Sequence, residues 1–178
     1  MSLCIYLNDI FGDMKHWGTL AICLIAFCHL YAQKIHMDNG KEYLPESIAQ
    51  FTIGTSLADF QTKKDTATMY RNDLLYHMYI QFIDTAKSNG LTVYYKFDTP
   101  SEGINTNRPL YEIDIEFPDA AAAEAFTAST YKFPGRPSEM AEKEWFFPTD
   151  KDYWLLIRLN GVHLMIAANM SGTEWGYD

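Results

Sequence analysis

Cysteine is scarce in this chain of 178 residues, and its three copies, Cys4, Cys23 and Cys28, all precede residue 33. The downstream part therefore has no disulfide framework, no thiolate nucleophile and no Cys-ligated zinc. Histidine is sparse too. Beyond residue 33 only His36, His77 and His163 occur, without His-Glu-x-x-His spacing, so no metal and no cofactor is expected. Basic residues are the minority, 14 Lys and Arg against 23 Asp and Glu, for a net charge of −9. Binding to a nucleic-acid backbone needs a basic face, so no nucleic-acid partner is expected. No Gly-x-Ser-x-Gly elbow, phosphate loop or dinucleotide fingerprint is present. Long apolar runs are also missing. The apolar run at 19–30 is roughly a dozen residues, where a spanning helix needs about 20, so no permanent membrane anchor is expected.

That short run has the layout of an export leader. Lys15 and His16 form a basic start, the apolar stretch follows, and Leu30 and Ala32 suit the −3 and −1 positions of a signal peptidase. The expected signal peptide is 14–32, with cleavage at Ala32-Gln33. Cys28 is preceded by the bulky Phe27, which does not suit a lipidation signal. Residues 1–13 carry Asp9 and Asp13 and no Lys or Arg, so they are read as an over-extended upstream stretch, with translation starting at Met14. Residues 33–178 are then a single secreted domain of sufficient length for its own core.

The pattern in 33–178 is α+β. Asp38-Asn39-Gly40 is a turn signal and suggests a small hairpin. Thr55 or Ser56 is placed to cap a short helix that has Asp59 in its first turn. Leu75, Met78, Tyr79, Phe82, Ile83 and Ala86 recur at helical spacing and predict a main helix over 73–88, stopped by Asn89-Gly90. Leu91, Val93, Tyr95 and Phe97 alternate with Thr92, Tyr94, Lys96 and Asp98. Tyr111, Ile113, Ile115 and Phe117 alternate with Glu112, Asp114 and Glu116. Such runs belong to antiparallel strands with one face in water. Asp119 is placed to cap a second main helix over 120–130. The stretch 131–152 reads as loose, with a short helix near 138–143. Asn160-Gly161 closes a C-terminal hairpin of 153–159 with 162–169 through a type I′ turn. That register sets Arg158 opposite His163, Leu156 opposite Met165 and Trp154 opposite Ala167. The expected architecture is a mainly antiparallel sheet packed against two main helices and closed by this hairpin.

The segment Ile53-Gly54-Thr55-Ser56-Leu57-Ala58-Asp59-Phe60 resembles the glycine-then-helix opening of small outer-membrane assembly lipoproteins of the BamE/SmpA type. The likeness covers eight residues, and the Gly-x-Pro turn and lipidated cysteine of that family are not matched.

Several groups are candidates for function. Glu112, Asp114 and Glu116 form an acidic row, with Lys96 across from it; their i, i+2 spacing of about 6.6 Å along a strand falls in the range of paired hydrolytic carboxylates. A solvent-facing strand looks the same. Arg158 and His163 bring two cationic-capable groups to one face. Asp73 and His77, at i, i+4, read as a solvated helix contact. Loop residues Asn105, Asn107, Arg108 and Arg136 are suited to an anionic or sugar ligand. Aromatics make up 15% of the chain, and Tyr94, Trp145, Phe146, Phe147, Trp154 and Trp175 lie outside the expected core faces. Exposed Trp and Tyr mark protein interfaces and sugar-stacking platforms. The expectation is an exported, non-enzymatic binding domain of the bacterial envelope or secreted space. Its partner would be an envelope or secreted protein, in an inhibitor, immunity or assembly role. The alternatives are a periplasmic hydrolase of envelope polysaccharide or peptide that uses Glu112, Asp114 or Glu116, and a carbohydrate-binding module.

Overall fold

Period-two alternation builds most of the folded chain. In the computed structural model, residues 34–72, 79–85, 90–98, 107–131 and 143–176 are described. The chain divides into two units, Met1–Gln33 and Lys34–Asp178, and every described element belongs to the second. The expected leader, Asp73, His77, Asn105, Arg136 and the 138–142 part of the short helix lie outside the described residues.

Seven strands form one sheet: β1 (Tyr70–Asn72), β2 (Tyr79–Asp84), β3 (Thr92–Asp98), β4 (Leu110–Glu116), β5 (Lys143–Pro148), β6 (Trp154–Asn160) and β7 (His163–Ala168). Their spatial order is β1-β2-β3-β4-β7-β6-β5, and each neighbouring pair is antiparallel. Two helices, α1 (Leu57–Lys63) and α2 (Ala120–Thr130), complete an α+β arrangement. Ser56 caps α1 by accepting from the Asp59 amide at 3.1 Å, and Asp119 caps α2 by accepting from Ala122 at 2.7 Å. Each cap satisfies an amide that the helix itself leaves unpaired.

Both helices pack on one face of the sheet, where the core sits. Phe60 of α1 is buried among Phe51, Tyr95 and Phe97, with ring centroids 4.9, 4.9 and 5.0 Å away. Phe126 of α2 lies 5.5 Å from Phe117, and Tyr131, just after α2, lies 5.8 Å from Phe147. The Tyr131 hydroxyl donates to the Tyr43 carbonyl at 2.6 Å, which ties the end of α2 to the N-terminal turns. Ile113, Ile115, Leu155, Ile157, Leu164 and Ile166 are fully buried on the same face. This apolar layer is the main stabilising feature, at about 25 cal/mol per Å² removed from water.

Four expectations change. Residues 79–84 form β2 and not the second half of a helix. Tyr79, Ile80, Phe82 and Ile83 satisfy a period of 3.6 and a period of 2 almost equally. Pairing with β1 and β3 decides for the strand, in keeping with the strand preference of β-branched and aromatic residues. The stretch read as loose includes β5, where Trp145 and Phe147 are buried on the core face. The Asp38-Asn39-Gly40 signal makes a 3-10 turn over Gly40–Glu42, capped by Asn39, instead of a hairpin. A side chain at Gly40 would place its Cβ on the Ala49 carbonyl oxygen.

The fourth change concerns the last two strands. Asn160 pairs with His163, so the turn residues are Gly161 and Val162. Gly161 has φ +58° and, among the described residues, Arg108 is the non-glycine with positive φ. A type I′ turn needs two positive φ values, whereas type II′ needs one, at its first central position. The two-residue shift keeps every side chain on its expected face. It moves Arg158 opposite Met165, Leu156 opposite Ala167, and Trp154 opposite Asn169, with which its backbone is hydrogen-bonded; on its other side Trp154 pairs with Pro148 of β5.

Candidate functional site

The sheet face turned away from the helices carries most of the residues singled out from sequence. One cross-strand row runs Gln81, Lys96, Glu112, Ala167, Leu156 and Phe146. The adjacent row runs Ile83, Tyr94, Asp114, Met165, Arg158 and Glu144. A third holds Thr92, Glu116, His163 and Asn160. The strand registers thus bring Tyr94, Glu112, Asp114, Glu116, Trp154, Arg158 and His163 onto one surface. Asn107 and Arg108 are elsewhere, at the entry to β4; Arg108 is exposed, with φ +46°.

Each charged group on this surface has a protein partner. Lys96 Nζ lies 2.5 Å from Glu112 Oε1 and 5.2 Å from the Tyr79 ring centroid. Glu112 is only 3% exposed, so its charge is held in a poorly solvated place that requires such pairing. Trp175, in the segment after β7, donates from Nε1 to Glu112 Oε2 at 2.6 Å. The Arg158 guanidinium stands 6.0 Å from the centroid of the Trp175 ring. The tail is anchored by Thr173, whose hydroxyl donates to the Met170 carbonyl, and by the Gly176 amide, which donates to Thr173. A β-bulge opposite Lys96 and Phe97 inserts Tyr111, whose hydroxyl donates to Glu174 at 3.1 Å.

Arg158 and His163 each face a carboxylate of the protein. Arg158 contacts Glu144 Oε2 through Nη2 at 2.6 Å and Nε at 2.8 Å. His163 Nδ1 is 3.5 Å from Asp114 Oδ1, an ion-pair distance without hydrogen-bond geometry. Tyr94 donates to Glu116 Oε2 at 3.1 Å. Burial, the largest influence, pushes the Asp114 carboxyl above its usual range; His163 opposes this and the Glu112 charge adds to it. Burial alone would lower the Lys96 pKa, but the Glu112 charge and hydrogen bond outweigh it and raise the value. Burial, then the hydrogen bond to Glu116, raises the Tyr94 phenol. Among the described residues, no group of three or more His, Cys, Asp or Glu is placed to hold a metal ion. No described helix is long and apolar enough to cross a membrane.

At the β5–β6 margin the surface turns apolar and exposed. Phe146 is 62% exposed and Trp154 50%. Phe146 stands opposite Leu156, and Trp154 is the diagonal neighbour two pairs along, within reach for large aromatic side chains. The sequence presents both aromatics as candidates without joining them to Lys96, Glu144 and Leu156. The Glu144-Trp145-Phe146-Phe147 alternation is the signal that could have done so: it buries Trp145 and Phe147 and turns Phe146 outward. The surface therefore combines a centre of internally paired charges with an aromatic margin open to solvent. No protein family, curated protein or solved structure matches the chain.

Proposed function

We propose that this chain is an exported binding domain, without catalytic activity, that engages a protein partner through the sheet face opposite its helices. The observation that carries this reading is the pair Phe146 and Trp154, large aromatics exposed side by side on a face of fixed register. Aromatic side chains that become fully desolvated at the centre of an interface supply most of its binding energy. Glu112, Asp114, Glu116, Glu144 and Glu174 outnumber Lys96 and Arg158 on and around this face. The matching partner surface is thus apolar where it meets Phe146 and Trp154 and basic where it meets the acid-rich remainder of the face. The partnered state of each carboxylate in the acidic row supports a structural role for that row. Glu112 is held by Lys96 and Trp175, Asp114 by His163 and Glu116 by Tyr94. The proposed setting is the bacterial envelope or the secreted space, in an inhibitor, immunity or assembly role.

The test is affinity capture from periplasmic and outer-membrane extract, followed by titration of the recovered protein. A stoichiometric complex that the Phe146→Ala/Trp154→Ala double variant weakens by about 100-fold supports the reading, since two hot-spot aromatics at about 1.4 kcal/mol or more each give that loss. An undiminished affinity in a folded double variant removes this face from the interface. Turnover of cell-wall material that is lost on Glu112→Gln or Asp114→Asn would replace binding with hydrolysis.

A further inference from the structure

A cleft of about 460 Å³ opens at the entry to β4, lined by residues that the aromatic face does not use. One wall is Gly54 and Thr55, held by Gly54 N–H donating to Leu110 at 2.7 Å and Leu110 N–H donating to Thr55 at 2.8 Å. Asn107 continues this wall. A second wall comes from Lys151 and Tyr153, in the loop from Thr149 to Tyr153. The Thr149 hydroxyl braces it, donating to the Tyr153 carbonyl at 2.5 Å and accepting from the Lys151 amide at 3.1 Å. Asp150 accepts from the Met37 amide at 3.3 Å and so ties Asp38 to that loop. The floor is apolar: Met37, Ile53, Pro109 and Met170 are buried.

The polar groups are at the rim. Lys151 Nζ and Asp38 Oδ1 are 3.9 Å apart, and both side chains are well exposed. This is a loose pair that contributes little on its own. The Asn107 amide and the Tyr153 hydroxyl make no hydrogen bond to another described residue. Burial and the nearby Asp150 and Asp38 push the Tyr153 phenol upward, so it remains a donor at neutral pH. Gly54, at φ +89°, keeps that phenol accessible: a Cβ there would come within 3.2 Å of the Tyr153 oxygen.

We infer that this cleft binds a small zwitterion with an apolar side chain, an α-amino acid or a dipeptide. The ammonium group pairs with Asp38, the carboxylate pairs with Lys151 and accepts from Asn107 or Tyr153, and the side chain rests on the Met37, Ile53 and Met170 floor. Adjacent opposite charges at the rim complement the two ends of a zwitterion, and charge-assisted bonds of this kind are the stronger ones. A floor of thioether and aliphatic groups suits an apolar side chain, whereas saccharides favour aromatic platforms. The volume is within the range of small-molecule sites.

The test titrates the full chain with L-leucine, L-leucyl-L-leucine, N-acetyl-leucine amide and maltose by calorimetry and saturation-transfer NMR. Saturable binding of leucine or the dipeptide is expected. Asp38→Asn and Lys151→Met should each weaken it by about tenfold, the effect of losing roughly 1.4 kcal/mol, with unchanged circular dichroism. The uncharged amide should bind at least that much more weakly. Absence of binding at millimolar concentration, equal binding of the amide, preference for maltose, or indifference to both variants would each overturn the assignment. None of these readouts depends on the partner proposed for the aromatic face.

Discussion

The indole of Trp175 donates to the carboxylate of Glu112 across 63 positions of sequence, at 2.6 Å. This bond joins the tail after β7 to the middle of β4, on the face that no described helix covers. It also completes the shell of a buried acid whose other oxygen is held by Lys96. A hydrogen bond to a charged group contributes about 1.5–3 kcal/mol. Trp175→Phe keeps most of the ring and removes the donor, so it should destabilise the chain by about that amount in urea unfolding. A loss below about 0.5 kcal/mol would show that the tail is not held there.

Lys96 and Glu112 are both largely withdrawn from water, at 19% and 4% side-chain exposure. Removing one partner of such a pair strands a buried charge, at a cost of about 3–5 kcal/mol. Lys96→Met should therefore be severe, while Lys96→Met combined with Glu112→Leu should recover most of the loss. Equal destabilisation in the single and double variants would mean that the ion pair is incidental and that packing alone matters.

Asp114 has a carboxyl pKa raised by burial. Between its unfolded value of about 3.9 and its raised folded value, the folded chain binds more protons than the unfolded one. Stability attributable to this group therefore falls as pH rises through that window, and the penalty persists at neutral pH. Asp114→Asn should raise the midpoint of thermal unfolding at pH 7, with the gain fading toward pH about 3.5, below both values. A gain that grows on acidification would contradict the direction of the shift.

Gly40 packs so tightly that a Cβ would fall on the Ala49 carbonyl oxygen. Gly40→Ala must displace backbone in the turn region that carries Tyr43, Leu44 and Ile48 into the core. Overpacking of this kind costs typically about 1–3 kcal/mol, readable as a lower urea midpoint. Gly161→Ala should be milder, since nothing lies within 4 Å and only the positive φ opposes it.

Much of this architecture is written locally. The alternation in β3 and β4 assigns Val93, Tyr95, Ile113 and Ile115 to the core and Tyr94, Glu112, Asp114 and Glu116 to the other face, because successive strand residues point to opposite sides. Ser56 and Asp119 mark their helix starts because a short side-chain oxygen reaches the unpaired amides beside it. The face of Arg158, His163 and Trp154 is legible for the same reason, even though the turn falls one residue later than Asn160-Gly161 suggests.

Tertiary structure decided the rest. Whether Tyr79, Ile80, Phe82 and Ile83 form a helix or a strand depends on what they pair with, because their spacing serves both periods, and β1 and β3 supply the answer. Only the sheet order places Glu144 beside Arg158 and Phe146 beside Leu156, since that requires β5 to return along β6. Only the folded tail brings Trp175 over Glu112, a long-range contact that no local pattern encodes. The sequence by itself determined which residues share a face, through the two-residue period of the backbone. The tertiary structure decided which of those residues meet, because neighbours across a sheet are set by strand order and register.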